Sequence, residues 1–148
     1  MQIIIVGCGN VGTTLTEQLS KEGHNITVVD RDAKKAESVA NRFDVMGVVG
    51  NGASFTVQNE AGIETADLMI AVTTSDELNL LCCLIARKAG GCNTIARVRN
   101  PIYNKEITYI KEELGLSMVI NPEYAAACEI ARLLKFPSAI KVDSFAKG

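Results

Sequence analysis

Six residues near the start of the chain, Gly7-Cys8-Gly9-Asn10-Val11-Gly12, have the spacing G-x-G-x-x-G. They follow the apolar run Ile3-Ile4-Ile5-Val6 and open a helical period. In that setting the chemistry belongs to the backbone. Gly7 permits a tight turn, Gly9 lets the main chain approach a pyrophosphate, and Gly12 lets the helix pack close to the strand. Free N–H groups at the helix start, with the helix dipole, then favour an anion. The alternative is a glycine-rich turn with no ligand. Asp30 closes the next apolar run, Ile26-Thr27-Val28-Val29. A carboxylate there can accept from both hydroxyls of an adenosine ribose, and it repels a 2′-phosphate, which disfavours NADP. Arg31 beside it softens that repulsion. The plainer reading of Asp30 is a strand-end turn residue.

Later strand ends should line the same crevice, because ligands sit at the carboxyl edge of such sheets. Gly50-Asn51-Gly52-Ala53-Ser54 offers small residues that leave room for a flat base. Asn51 could hydrogen-bond that base, with Gly52 and Ala53 beside it, or the segment is a plain turn. Thr73-Thr74-Ser75-Asp76 brings two hydroxyls to a helix start, suited to ribose or phosphate. Helix capping explains Ser75 equally well. Arg97 interrupts the apolar run Thr94-Ile95-Ala96-Arg97-Val98. A buried arginine needs an anionic partner, either a ligand phosphate or an internal Asp or Glu.

The elements that must position these residues follow from periodicity. Six short apolar runs begin at Ile3, Ile26, Val45, Leu68, Thr94 and Met118. Runs apolar on both faces fit a parallel sheet covered on both sides. Helical periods lie between them. Val11, Leu15 and Leu19 form one, stopped by Gly23; Ala36, Val39, Ala40 and Phe43 form another, capped by Asp32. Leu78, Leu81, Cys82, Ile85 and Ala89 form the clearest stripe, capped by Ser75. A short helix is expected over 54–61, and one helix through Tyr103, Ile107, Ile110 and Leu114. Asn121-Pro122 reads as N-cap and N1 of a last helix, with Tyr124, Ala127, Cys128, Ala131 and Leu134 on one face. The expectation is an α/β fold: a Rossmann-like doubly wound parallel sheet of six strands with helices on both faces. Ile140 to Phe145 alternates like the start of a further strand.

Composition narrows the function. The chain has 148 residues, 47% apolar and 22% charged, with net charge −2. One domain of that size buries a real core. There is no basic field for nucleic acid or an anionic membrane, and no Trp to stack bases. No apolar run reaches membrane-spanning length, and the opening residues lack the marks of a signal peptide. A cytoplasmic protein is expected. The five cysteines lack zinc or disulfide spacing and read as reduced, mostly packed thiols. The single histidine, His24, falls in a predicted turn at the wrong edge of the sheet. It offers no triad and no proton donor at the crevice. The chain reads as a binder of nucleotide and not an enzyme, the competing class being a fragment of a small NAD-dependent oxidoreductase.

The glycine loop together with Val28-Val29-Asp30, Gly50-Asn51-Gly52, Ala71-Val72-Thr73-Thr74-Ser75-Asp76-Glu77-Leu78-Asn79, Ile95-Ala96-Arg97-Val98-Arg99 and Ile120-Asn121-Pro122-Glu123 resembles the RCK/KTN regulatory domain. That family includes cytosolic regulatory subunits of potassium uptake systems, and the likeness spans essentially the whole chain. It implies NAD(H) as ligand, with ATP, ADP or AMP in relatives. It implies contacts from Gly7 to Val11, Asp30, Thr73, Thr74 and Arg97. Glu123 matches a position that in ATP-binding relatives helps hold a divalent cation. Asn10 stands where those relatives carry Arg, which points to the NAD(H) branch. The resemblance further implies a homodimer, formed by a last helix that crosses to the partner, and ring assembly in the full-length protein. The ring would lie beneath a membrane-embedded potassium-translocating subunit, with no membrane insertion of its own, and nucleotide identity would gate the pore. Residues 1–135 would then be the nucleotide-binding domain and 136–148 the start of a connection to a carboxy-terminal lobe.

Overall fold

A computed structural model describes residues 1–104 and 106–135. Six strands, β1 (Gln2–Val6), β2 (Asn25–Asp30), β3 (Met46–Val49), β4 (Leu68–Ala71), β5 (Asn93–Arg97) and β6 (Met118–Ile120), form one sheet in the order β3-β2-β1-β4-β5-β6. Every pairing is parallel. This is the doubly wound order, reversing between β1 and β4. The physical reason lies in the strands themselves. Ile3 and Ile5 face one layer while Ile4 and Val6 face the other, and all four are buried. A strand that hides both faces needs helices on both sides.

Helices α1 (Asn10–Lys21) and α2 (Ala33–Phe43) cover the first face, where Ile3, Ile5, Val28 and Val72 meet Leu15, Leu19, Val39 and Phe43. Helices α3 (Phe55–Glu60), α4 (Asp76–Ala89) and α6 (Ile107–Leu114) cover the second, where Ile4, Val6, Met69 and Ala71 meet Cys82, Cys83 and Ala86. Four of the five cysteines are buried as small apolar side chains. Asp32 caps α2 through the N–H groups of Lys34 and Lys35, Ser75 caps α4 and Asn121 caps α7 (Pro122–Leu134).

Two expectations need correction. The single helix expected from Tyr103 to Leu114 is two elements, α5 (Pro101–Asn104) and α6. Pro101 starts the first piece as an N1 proline, and the Glu106 N–H turns back onto the Tyr103 carbonyl at 3.1 Å. The Tyr103 hydroxyl donates to Glu77 of α4 at 2.7 Å, which ties the first piece down separately. The third strand also starts at Met46, one residue later than its apolar run. The alternation at 140–145 and the connection expected over 136–148 lie outside the described residues. Among the described residues, no helix is long and apolar enough to cross a membrane.

Candidate functional site

The carboxyl ends of β1, β2, β4 and β5 open into one cleft of about 510 Å³. Ladder bonds carried past the strand ends assemble it. The Gly7 N–H donates to the Val29 carbonyl at 2.8 Å, Val72 to Val6 at 2.8 Å, and Gly50 to Asp30 at 2.9 Å. Gly7 takes φ +106°, a conformation L side chains rarely adopt, and a Cβ there would lie 3.0 Å from the Thr73 backbone nitrogen. Gly12 is needed for a different reason: a Cβ would collide with the Gly7 carbonyl oxygen. Gly9 lines the cleft and has open space where its Cβ would stand. That cradle is what a ligand's phosphates require of the backbone.

Gly9 is the N-cap of α1, and neither a capping side chain nor an acidic residue occupies the first turn. Asn10 and Val11 line the cleft there. The positive end of the α1 dipole therefore faces the cleft without a protein carboxylate of its own helix to offset it. Asp30 stands across from this turn. Its carboxylate accepts from the Cys8 N–H at 2.8 Å and from the Asp32 N–H at 2.9 Å, one on each oxygen. Each oxygen keeps lone-pair capacity for a ribose hydroxyl. Cys8 itself does not line the cleft but belongs to the core on the α1 side, and burial together with the Asp30 charge pushes its thiol up to about 12. Arg31 and Lys35 line the same rim, Lys35 having drawn no notice in the sequence.

The remaining predicted residues divide. Gly52 lines the cleft, but its smallness also serves packing, since a Cβ would meet the Val6 and Cys82 side chains. Asn51 and Ala53 do not line it. The Asn51 side chain accepts from the Ala53 N–H at 3.1 Å, a local turn. Thr73, Thr74 and Ser75 line it. The Thr73 hydroxyl is already committed to Asn79 at 2.7 Å, and Ser75 caps α4, while Thr74 is exposed. Arg97 reaches the cleft from β5 and is 9% exposed. Its internal partner is Glu123 of α7, whose carboxyl it holds below the usual range. The Arg97 Nε is buried with no partner. Of the two anions weighed for this arginine, the structure shows the internal one, Glu123. His24 stands between α1 and β2, at the opposite edge of the sheet.

Three polar residues outside the set expected to contact a ligand hold the rim in place. Asn79, fully buried in α4, accepts from the Thr73 N–H at 2.8 Å and donates to the Thr73 and Arg97 carbonyls at 3.2 and 2.9 Å. It joins the ends of β4 and β5. Asp76 accepts from the Arg99 and Asn100 N–H groups at 2.9 and 2.7 Å, fixing the turn after β5. Gln58 donates to the carbonyls of Gly52 and Cys82 at 2.7 and 3.0 Å. The available signal was polarity at inward-facing helix positions. Arg99, which also lines the cleft, donates to the Thr74 carbonyl at 2.6 Å.

The TrkA-N domain family matches residues 3–122. A curated relative, the Trk system potassium uptake protein TrkA homolog of Archaeoglobus fulgidus, is 39% identical over 148 residues, covering 100% of this chain and 34% of that protein. The chain spans about a third of the length of the curated relatives it matches. Among solved structures, the TrkA-N domain of the inner membrane protein ybaL from Escherichia coli superposes with a TM-score of 0.79 at 26% identity, over 90% of this chain and 96% of that one. The GsuK channel bound to NAD superposes with a TM-score of 0.67 at 23% identity, over 80% of this chain and 21% of that one. The same channel bound to ADP gives 0.67 at 22%, over 81% and 31%. At those identities the likeness to the channel carries the fold alone.

Proposed function

The chain belongs to the TrkA-N domain family, and on that premise we propose that it is the NAD(H)-binding regulatory domain of a potassium uptake system. One observation carries the reading. The uncapped glycine-rich start of α1, the Asp30 carboxylate and the Arg97 guanidinium converge on a single cleft at the switch point of the sheet. Backbone N–H groups over 7–11 serve a pyrophosphate, and Asp30 serves a ribose diol. Bound nucleotide supplies those anionic and diol groups; the chain supplies donors, one carboxylate and three arginines. The NAD bound to the GsuK channel supports the choice of ligand class, and ADP bound to the same channel keeps adenine nucleotides in the comparison.

The regulatory reading rests on the relatives' names as potassium uptake proteins and on a cleft without an acid–base histidine. Binding, not turnover, is the proposed activity. The proposed assembly is a homodimer through α7, within a larger ring of the full-length protein, docked on the cytoplasmic side of a membrane-embedded potassium-translocating subunit. Nucleotides that contact the ends of α1 and α4 differently would stabilise different arrangements of the dimer, since only differential affinity for two states can shift them.

Calorimetric titration with NADH, NAD, ATP, ADP and AMP, with and without magnesium, tests the proposal. NADH or NAD is expected to bind most tightly, with no cofactor consumed. Tighter ATP or ADP binding would move the ligand to the adenine branch and bring Glu123 forward as a cation ligand. Silence from all five would overturn nucleotide binding.

A further inference from the structure

The Arg97–Glu123 pair joins two parts of the molecule that have little else in common. Arg97 belongs to the wall of the cleft and is nine-tenths buried. Glu123 belongs to the first turn of α7, and its side chain is about half exposed, at 52%. No residue of α7 is buried. What fixes the start of that helix is local. Asn121 accepts from the Tyr124 N–H at 3.0 Å and donates weakly to the Arg99 carbonyl at 3.4 Å, while Arg97 holds Glu123. Meanwhile the Arg97 Nε remains buried and unpartnered.

We propose that Glu123 is a built-in competitor for the ligand anion at Arg97, so that an anionic ligand entering the cleft displaces the carboxylate and frees the first turn of α7. The proposal rests on the reading of the cleft as an anion-binding nucleotide site. A buried guanidinium without a counter-ion is strongly destabilising, so the empty site needs an internal anion. Glu123 supplies one from an exposed position, where releasing it back to water costs little. A phosphate reaching the same guanidinium makes a charge-assisted contact of the same kind from within the cleft. Exchange of one anion for the other keeps Arg97 paired throughout. Two consequences follow together. Ligands lacking an anion that reaches Arg97 do not meet this competitor, so Glu123 lowers the affinity of phosphate-bearing ligands alone. The start of α7 also loses its ion pair to the sheet only when such a ligand is present.

The test compares the purified chain with Glu123→Gln, titrated by calorimetry with ADP, adenosine and inorganic pyrophosphate. The variant is expected to bind ADP and pyrophosphate about three- to tenfold more tightly than the wild type, and adenosine equally. Equal or weaker binding of ADP and pyrophosphate by the variant overturns the proposal, as does an equal gain for adenosine. If the wild type binds neither ADP nor adenosine, the nucleotide reading falls, and the pyrophosphate ratio alone decides between a competitor and none. Hydrogen exchange at the amides of Tyr124 to Ala127 gives the second readout. Saturating pyrophosphate should speed exchange there in the wild type and leave the variant unchanged. Unchanged exchange in the wild type would overturn release of the helix start.

Discussion

Asp30 carries two duties that pull on the same atoms. It anchors the glycine loop through the Cys8 N–H and its own turn through the Asp32 N–H, and it presents the remaining lone pairs to the cleft. Asp30→Ala should therefore weaken NAD(H) binding by about 1–3 kcal/mol, the cost of removing a charged acceptor from a ribose diol. Calorimetry against the wild type reads the difference, and an unaffected affinity would misplace the ribose. Thiol chemistry makes a separate claim at this scale. Burial pushes Cys8 and Cys82 up to about 12 and raises Cys83 and Cys92 as well, whereas Cys128 is exposed. The reactive species is the thiolate, and access matters too. A disulfide reagent at mildly alkaline pH should label Cys128 rapidly wherever α7 is uncovered, as in the Ala127→Arg variant, and the other four only after denaturant is added. Rapid labelling of Cys8 would contradict its packing beside Asp30. The glycines were legible in the sequence because their places demand backbone geometry that few other residues permit, and Asp30 because it is the carboxylate that closes an apolar run. Arg97 was legible only as a demand for an anion, since the candidate that answers it is 26 positions away.

The elements were easier to read than the contacts that register them against one another. Apolar runs and caps placed all six strands and the longer helices, because burial on both faces leaves a parallel sheet little alternative. The break between α5 and α6 escaped the periodicity, because a hydrogen bond from Tyr103 to Glu77 fixes the first piece from outside its own segment. The contacts by which polar residues lock the cleft's rim escaped for the same reason. Asn79 looks like any polar position on an amphipathic helix until its partners, at Thr73 and Arg97, come into view. Asn51 shows the converse: a side chain suited to a base is spent on a turn within its own loop. Asn79→Ala would orphan the Thr73 N–H and the Arg97 carbonyl at once. The expected loss is about 1–3 kcal/mol of folding stability, read from urea denaturation. Nucleotide affinity should fall with it, because the ends of β4 and β5 would no longer be held in register at the cleft wall. A variant as stable as the wild type would show that the strand ends do not depend on this bridge.

At the scale of the whole molecule, Met46, Val49 and Phe55 are exposed at the β3 edge of the sheet, and a larger set of exposed apolar side chains belongs to the elements around β6. Ile102, Tyr109 and Met118 lie on α5, α6 and the edge strand β6, and Tyr124, Ile130 and Leu134 on α7. Leu134 is 73% exposed, and α7 packs none of its residues away from solvent. On the α1 side of the sheet, Ile95 of β5 and Ile120 of β6 are only half-buried, so this chain's own helices leave that face incompletely covered. A helix that avoids its own sheet while presenting tyrosine, isoleucine and leucine to water is costly in isolation. Full burial of such side chains contributes about 1.5–3 kcal/mol each. A second copy of the chain, presenting the same apolar end, offers a self-complementary surface of the kind a twofold dimer uses. Ala127 sits within the stripe of Tyr124, Cys128, Ala131 and Leu134, where a close approach of two helices has room for a methyl group and none for a guanidinium. If the proposed homodimer forms through this stripe, Ala127→Arg should shift a dimeric wild type to monomer on a sizing column. Because Ala127 is exposed within one chain, the substitution should leave the urea midpoint of the monomeric fold nearly unchanged. An unaltered dimer would place the interface elsewhere. A monomer with a collapsed midpoint would instead mean that α7 packs on its own sheet.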